Sequence, residues 1–174
     1  GHGNGRMDTV AHFSVPTLDG TWSFRNEWNG EDVYIFLFKY TDSSGNGNNA
    51  DWSKSPGSMI RQLPDNAHLF YGSFDNSFQN DVQGRKAAVQ NALNADEELK
   101  WKDRIHYIDQ DMSTASGGLG DLINNWNSLY YGIDRFQRAR EIGSIYAWTS
   151  QTNDITHWAY EARMYNYEYP TEVR

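Results

Sequence analysis

Apolar positions along this chain come in short bursts separated by polar stretches broken by glycine. The densest burst is Val33-Tyr34-Ile35-Phe36-Leu37-Phe38. Six apolar or aromatic residues in succession are too few for a membrane span and predict a strand buried on both faces. Ala67 to Phe74 and Arg104 to Asp109 predict two more strands. Between them the period changes. Ser55 to Leu63 predicts a short helix, with Ser55 as N-cap and Pro56 at the first helical position. In Asp81 to Leu93, Val82, Ala88, Val89, Ala92 and Leu93 share one helical face, although Gly84 costs roughly 1 kcal/mol against Ala. Asp96 to Lys100 either extends that helix or starts another turn.

The flanks follow the same logic. Val10 to Val15 predicts a short strand ended by Pro16, and Leu18-Asp19-Gly20-Thr21 a turn in which Gly supplies positive φ. Trp22, Phe24 and Trp28 then cluster ahead of a second turn, Asn29-Gly30-Glu31-Asp32. Past Gly117-Gly118, Leu119, Leu122, Ile123 and Trp126 recur at helical spacing. Leu129 to Asp134 and Arg138 to Gly143 predict a hairpin around Arg135-Phe136-Gln137, while Ser144 to Ser150 is strand or loop. Asp154 caps a closing helix whose stripe is Ile155, Trp158, Ala159, Ala162 and Tyr165, stopped by Pro170. Alternating strands and helices imply parallel pairing with right-handed crossovers. The late hairpin adds an antiparallel edge. The expected fold is α/β, a central mixed sheet flanked by helices. One domain spans 9–169, after a flexible linker or tag remnant at 1–8 and before a tail at 170–174; a signal segment or neighbouring domain trimmed from the front is part of that expectation.

Composition narrows the function classes. Seven Trp and eleven Tyr in 174 residues exclude a disordered chain despite the polar average. A formal net charge of −8 argues against binding nucleic acid or an anionic membrane surface, which needs clustered Lys and Arg. The one basic cluster, Arg135-Phe136-Gln137-Arg138-Ala139-Arg140, is expected to be a solvated strand face. No segment approaches the ~20 apolar residues of a spanning helix, so no membrane insertion is expected. Abundant Asn, Gly, Trp and Tyr with few Lys suggest an exported protein, extracellular or periplasmic. The chain has no cysteine, which excludes disulfides, zinc–thiolate sites, thiol nucleophiles and CxxC redox chemistry within it.

Two stretches carry a family resemblance. Phe13-Ser14-Val15-Pro16-Thr17-Leu18-Asp19-Gly20-Thr21-Trp22-Ser23-Phe24, followed by Trp28 to Phe38, resembles the opening of thioredoxin-like proteins of the peroxiredoxin and thiol-disulfide reductase branch. Tyr131-Gly132-Ile133-Asp134 to Arg138-Ala139-Arg140-Glu141-Ile142-Gly143 is similar to that family's penultimate hairpin. The resemblance implies a thioredoxin-like three-layer sandwich. In that family the strand matched by Val33 to Phe38 leads into a catalytic Cys at a helix N-terminus, where the thiol pKa is lowered. Here Asp42-Ser43-Ser44-Gly45-Asn46-Gly47 stands there instead. A serine hydroxyl forms no S–S bond and is a far weaker nucleophile unassisted. The family's cis-proline ahead of the hairpin is missing too, since Asn124 to Tyr130 contains no Pro. The expected function is therefore a redox-inactive domain serving as a binding or interdomain module of a larger exported bacterial protein.

The alternative is a site rebuilt on the same loop. Asp42, Ser44 and Asn46, followed by Gly47, match the front of a calcium loop, with Asp51 as a further carboxylate. The bidentate Glu that should close such a loop is absent, and a flexible Asn-rich loop accounts for the same letters without metal. His106 with Asp109 and Asp111 could bind metal or shuttle a proton, but an Asp-rich strand end beside a strand His is the simpler account. His68 is expected in a core or edge strand and His157 on a helix surface. Ser43 and Ser44 lack a Gly-x-Ser-x-Gly elbow, and neither Gly45-Asn46-Gly47 nor Gly117 to Gly120 carries a phosphate-binding fingerprint. The aromatic excess points first to core and interdomain packing and second to a carbohydrate-stacking surface, with Tyr165, Tyr167 and Tyr169 as its candidates.

Overall fold

The computed structural model describes residues 7–41, 43–44, 52, 55–115, 119–120, 128–144 and 161–168. Strands β1 (Ser14–Thr17) and β2 (Gly20–Ser23) form a hairpin, and a single helical turn, α1 (Phe24–Glu27), leads to β3 (Val33–Lys39). Then come α2 (Pro56–Gln62), β4 (Ala67–Ser73), α3 (Phe78–Ala92), α4 (Ala95–Trp101), β5 (Ile105–Asp111), a 3-10 turn at Met112–Thr114, β6 (Ser128–Ile133) and β7 (Ala139–Ser144). Residues 161–164 are helical. The sheet order is β2-β1-β5-β4-β3-β6-β7. β3 pairs in parallel with β4, β4 with β5, and β6 runs antiparallel to both β3 and β7. Parallel strands joined by helices, with an antiparallel hairpin docked on β3, make this a thioredoxin-like α/β fold.

Strand β3 is the axis of the sheet, and its composition explains why. Val33, Ile35 and Leu37 point to one core with Leu69, Tyr71, Ile60, Val82 and Tyr165. Tyr34, Phe36 and Phe38 point to the other, with Trp22, Phe24, Phe70, Ile108 and Tyr131. Side chains alternate across a strand, so an apolar run that also alternates aliphatic with aromatic builds two different cores. Each of these side chains contributes about 1.5–3 kcal/mol on burial. On the aromatic face Phe36 stacks on Phe70 at 4.3 Å and Phe70 on His106 at 4.4 Å, a ladder running across β3, β4 and β5.

Several elements depart from the sequence-based expectation. The first strand begins at Ser14 rather than Val10 and runs through Pro16. Proline fits because β1 meets β5 at one ladder pair only, Thr17 with Ile108, so position 16 owes no donor to a central strand. The turn α1 was not anticipated; its cap is Ser23, whose Oγ accepts from Asn26 N at 3.4 Å. Residues 95–101 form a helix of their own, started by a capping box in which Asn94 and Glu97 bond each other's backbone N–H. Met7 and Asp8, inside the stretch assigned to linker, bond through their backbones to Ala139 on β7. Of the expected closing helix, Ala162 and Tyr165 lie buried as its stripe requires, while Asp154, Ile155, Trp158, Ala159 and Pro170 fall outside the described residues. So do Leu122, Ile123 and Trp126, and the whole of 145–150.

The basic cluster is not a solvated face. Asp134 is fully buried at the hairpin, and its Oδ1 accepts from Phe136 N and Arg138 N, both at 2.9 Å. Arg140 Nη1 lies 3.2 Å from Asp134 Oδ2, and the Arg140 guanidinium sits 5.4 Å over the Tyr165 ring. Arg138 donates to the Met7 carbonyl at 2.8 Å. A buried carboxylate needs a paired charge and hydrogen bonds, so the arginine alternation serves Asp134. Arg135 alone of the three is exposed.

Two glycines test this packing in opposite directions. A Cβ on Gly132 would lie 2.6 Å from Tyr165 Cζ, inside the ring's envelope, whereas a Cβ on Gly84 in α3 would meet nothing within 4 Å. Gly132→Ala is expected to cost at least about 2 kcal/mol by forcing Tyr165 off the sheet, and Gly84→Ala to add about 0.5–1 kcal/mol. Urea unfolding measures both; equal midpoints for the two variants would refute the close contact of Tyr165 with β6.

Candidate functional site

The parallel register of β3 and β4 pairs Lys39 with Ser73, so both strands end at one level, at the carboxyl end of the sheet. Open α/β sheets place their ligands at this end, and the loop that replaces the expected cysteine starts here. Asp75 follows β4, and Asp81 sits in the first turn of α3, where the helix dipole favours a carboxylate. Lys39 Nζ lies 2.7 Å from Asp75 Oδ2 and 3.3 Å from Asp81 Oδ1. Asp75 also accepts from Thr41 N at 2.9 Å and Thr41 Oγ1 at 2.7 Å. Asp81 Oδ2 accepts from Ser73 Oγ at 2.7 Å and Ser77 Oγ at 3.0 Å. Beside this network an open cavity of 520 Å³ is lined by Lys39, Thr41, Asp75, Ser77, Asp111 and Ser113, among others.

The electrostatics decide what these groups can do. Burial opposes the ammonium form of Lys39, but hydrogen bonding to Asp75 and the charges of Asp75 and Asp81 outweigh it, and its pKa is raised. Burial likewise opposes the Asp75 carboxylate, but hydrogen bonds from Lys39 and Thr41 outweigh it and hold its pKa down. A lysine kept charged supplies neither a Schiff-base amine nor a general base. A carboxyl kept ionised is no general acid. Lys39 and Asp75 are committed to each other and to Thr41, the first residue of the loop.

The residues singled out from sequence are described only in part. Ser44 is exposed, and Asp42, Asn46 and Asp51, the other members of the calcium-type set, lie outside the described residues, as does His157. His106 faces the aromatic core against Phe70, whereas Asp109 is exposed three residues on, across the strand. Asp111 accepts from Ser113 N at 2.9 Å and caps the 3-10 turn. His106, Asp109 and Asp111 therefore do not converge. Among the described residues no group of three or more His, Asp or Glu side chains is arranged to hold a metal ion. Tyr165 is buried and Tyr167 exposed, so they share no stacking surface; Tyr169 is outside the described residues.

Sequence reasoning passed over a second cluster, at the amino end of the same strands. His68 Nε2 lies 3.0 Å from Asp32 Oδ2, and His68 Nδ1 lies 2.9 Å from His106 Nε2. Arg104 Nη1 is 3.3 Å from Asp32 Oδ1. The imidazoles lie edge to edge with centroids 5.2 Å apart, and Tyr34 stacks on His68 at 5.1 Å. Burial opposes the Asp32 carboxylate, but the hydrogen bond and charge of His68, with Arg104, outweigh it and hold its pKa down. Only the shared strand parity of positions 34, 68 and 106 could have hinted at this.

No family model matches the chain, and no curated protein does. Among solved structures it is similar to a SCO1/SenC family lipoprotein from Bacillus anthracis str. Ames, at 13% identity over 88% of this chain and 94% of that one, with a TM-score of 0.47. It is similar to a putative thiol:disulfide interchange protein DsbE from Chlorobium tepidum, at 10% identity over 89% and 97%, TM-score 0.45. A mitochondrial 2-Cys peroxiredoxin from Plasmodium falciparum matches at 12% identity over 87% and 94%, TM-score 0.43.

If the Lys39–Asp75–Asp81 network closes the carboxyl end, Asp75→Ala should lower stability by about 1.5–3 kcal/mol, the range for hydrogen bonds to a charged group. It should also speed amide exchange at Thr41. A variant as stable as the parent, with Thr41 unchanged, would show that the network contributes nothing.

Proposed function

We propose that this chain is a redox-inactive thioredoxin-like module that works by binding, as an interdomain or protein-contact unit of a larger exported bacterial polypeptide. The observation that carries the reading is the state of the sheet's carboxyl end. Where the fold would hold a reactive thiolate there is no cysteine, and Lys39, Asp75, Asp81 and Thr41 saturate one another. The site retains a polar opening of 520 Å³ and no uncommitted acid, base or nucleophile among the described groups that form the network. Exposed apolar residues support a contact role. Leu99 is 76% exposed beside a cavity of 620 Å³ that reaches Leu93, Trp101, Ile105 and Tyr107, and Tyr167 is 64% exposed. Apolar surface of this kind is what a neighbouring domain covers.

Two assays separate this reading from the rebuilt-site alternative, in which Asp42, Ser44, Asn46 and Asp51 hold calcium. Insulin reduction by dithiothreitol should run at the same rate with and without the protein; turnover above background would overturn the reading. Thermal unfolding in excess calcium and in chelator should give the same midpoint. A folded-state ligand at a hundred times its Kd adds about 2.7 kcal/mol, which in a domain of this size raises Tm by roughly 5–10 °C. A rise of that order would replace the binding-module reading with a calcium site. A glycan array tests the carbohydrate variant of the binding role.

A further inference from the structure

The amino end of the sheet carries a cluster that the binding role does not use. We propose that Asp32, His68 and His106 form a proton-responsive latch beneath the N-terminal hairpin, holding β1 and β2 down at neutral pH and releasing them when the imidazole pair takes up its second proton.

The argument starts from hydrogen counting. Asp32 is a carboxylate, so His68 Nε2 donates to it. Between His68 Nδ1 and His106 Nε2, 2.9 Å apart, one proton must be shared, because two N–H groups or two bare lone pairs cannot bond. The pair can accept one further proton at His106 Nδ1, after which either ring can carry the charge and the N–H···N bond survives. A second added proton puts N–H on both facing nitrogens. The bond is then lost, and two imidazolium rings face each other edge to edge with centroids 5.2 Å apart.

The surroundings make that second step costly. The charged and titratable groups facing the pair are Asp32 before β3, Tyr34 on β3, and Arg104 just ahead of β5, with Glu27 of α1 acting on Tyr34. From β2 and β4 the neighbours are the uncharged Trp22 and Phe70. Asp32 and Arg104 cancel, so each added imidazolium charge is only partly compensated. Burial, then the charges of His68 and Arg104, push the His106 imidazole down to about 3. Its folded pKa lies below the ordinary value, so the stability linked to it is intact above about 6.5 and is lost as pH falls towards 3.

The hairpin is the element in a position to respond. Trp22 packs 5.6 Å from the His106 ring and 6.2 Å from the His68 ring. The backbone joins the hairpin to β5 through one ladder pair, Thr17 with Ile108, and the bond from Leu18 N to Tyr107 O at 3.0 Å. An element with so few backbone ties opens locally at low cost. β3 and β4, paired through seven registered positions, do not.

Hydrogen exchange tests the latch. From pH about 7 to about 4, after correction for the intrinsic rate, the amides of β1 and β2 should exchange at least tenfold faster in the parent while β3 and β4 stay protected. His106→Phe keeps an aromatic ring and removes the titrating nitrogens, and should abolish the pH response of the hairpin. A hairpin that ignores pH in the parent, or that still responds in His106→Phe, would overturn the proposal. If His106→Phe fails to fold, imidazole 15N spectra of the parent decide: proton uptake by His106 must coincide with hairpin opening, and a hairpin that stays closed while His106 takes up its proton would sink the latch.

Discussion

A strand with no face towards water makes desolvation the governing constraint on everything around it. Val33 to Leu37 is fully buried on both sides. Every charged group brought near that strand must therefore be paired from within the protein, because leaving one unpaired forfeits its hydration without return. Whereas the buried hydroxyls of Tyr34 and Tyr131 have no hydrogen-bond partner, the structure meets the demand for its charges at three places around β3: Lys39 with Asp75 and Asp81 at the carboxyl end, Asp32 with His68 and Arg104 at the amino end, and Asp134 with Arg140 on the adjoining hairpin. Each pairs a carboxylate with a cation and adds hydrogen bonds to the remaining oxygens.

This constraint also bears on function. A reactive thiolate at the end of β3 would need neighbouring groups left free to tune it. With no thiol present, those positions are under no such requirement, and the residues there neutralise one another. The carboxyl end is thereby a tie that secures Thr41 at the mouth of the loop. In the proposed binding role, recognition falls to other surface, and Leu99 and Tyr167 are the exposed apolar residues offered for it.

The strands and most helices were legible because their signals are local. The alternation of aliphatic and aromatic residues in Val33 to Phe38 is visible in the letters, and so are Pro56 at a helix start and the hairpin around Gln137, which takes a φ of 68°. What stayed hidden depends on partners far apart in the chain. Arg140 belongs with Asp134 only because the hairpin folds a carboxylate under Tyr165. His106 seemed to belong with Asp109 and Asp111, its neighbours in sequence, but strand parity sends it to the opposite face, where register brings it to His68. Lys39 and Asp75 are 36 residues apart, and nothing in either stretch alone names the other. Periodicity tells which face a residue takes; only register tells whom it meets there.

The two ends of the sheet differ in how their pairing responds to acid, and the difference follows from the groups used. Lys39 and Asp75 are moved apart on the pH scale, one raised and one lowered, so their pair survives well into the acid range. The amino end relies on an imidazole bond that exists only while one of its two nitrogens is bare. Acidification therefore weakens the amino end first, at the hairpin, and leaves the carboxyl end closed. A fold whose sheet is this deeply buried can concentrate acid sensitivity in one thinly tethered element, because Ile35 to Phe38 and Leu69 to Gly72, between the two ends, carry no side chain that titrates in acid.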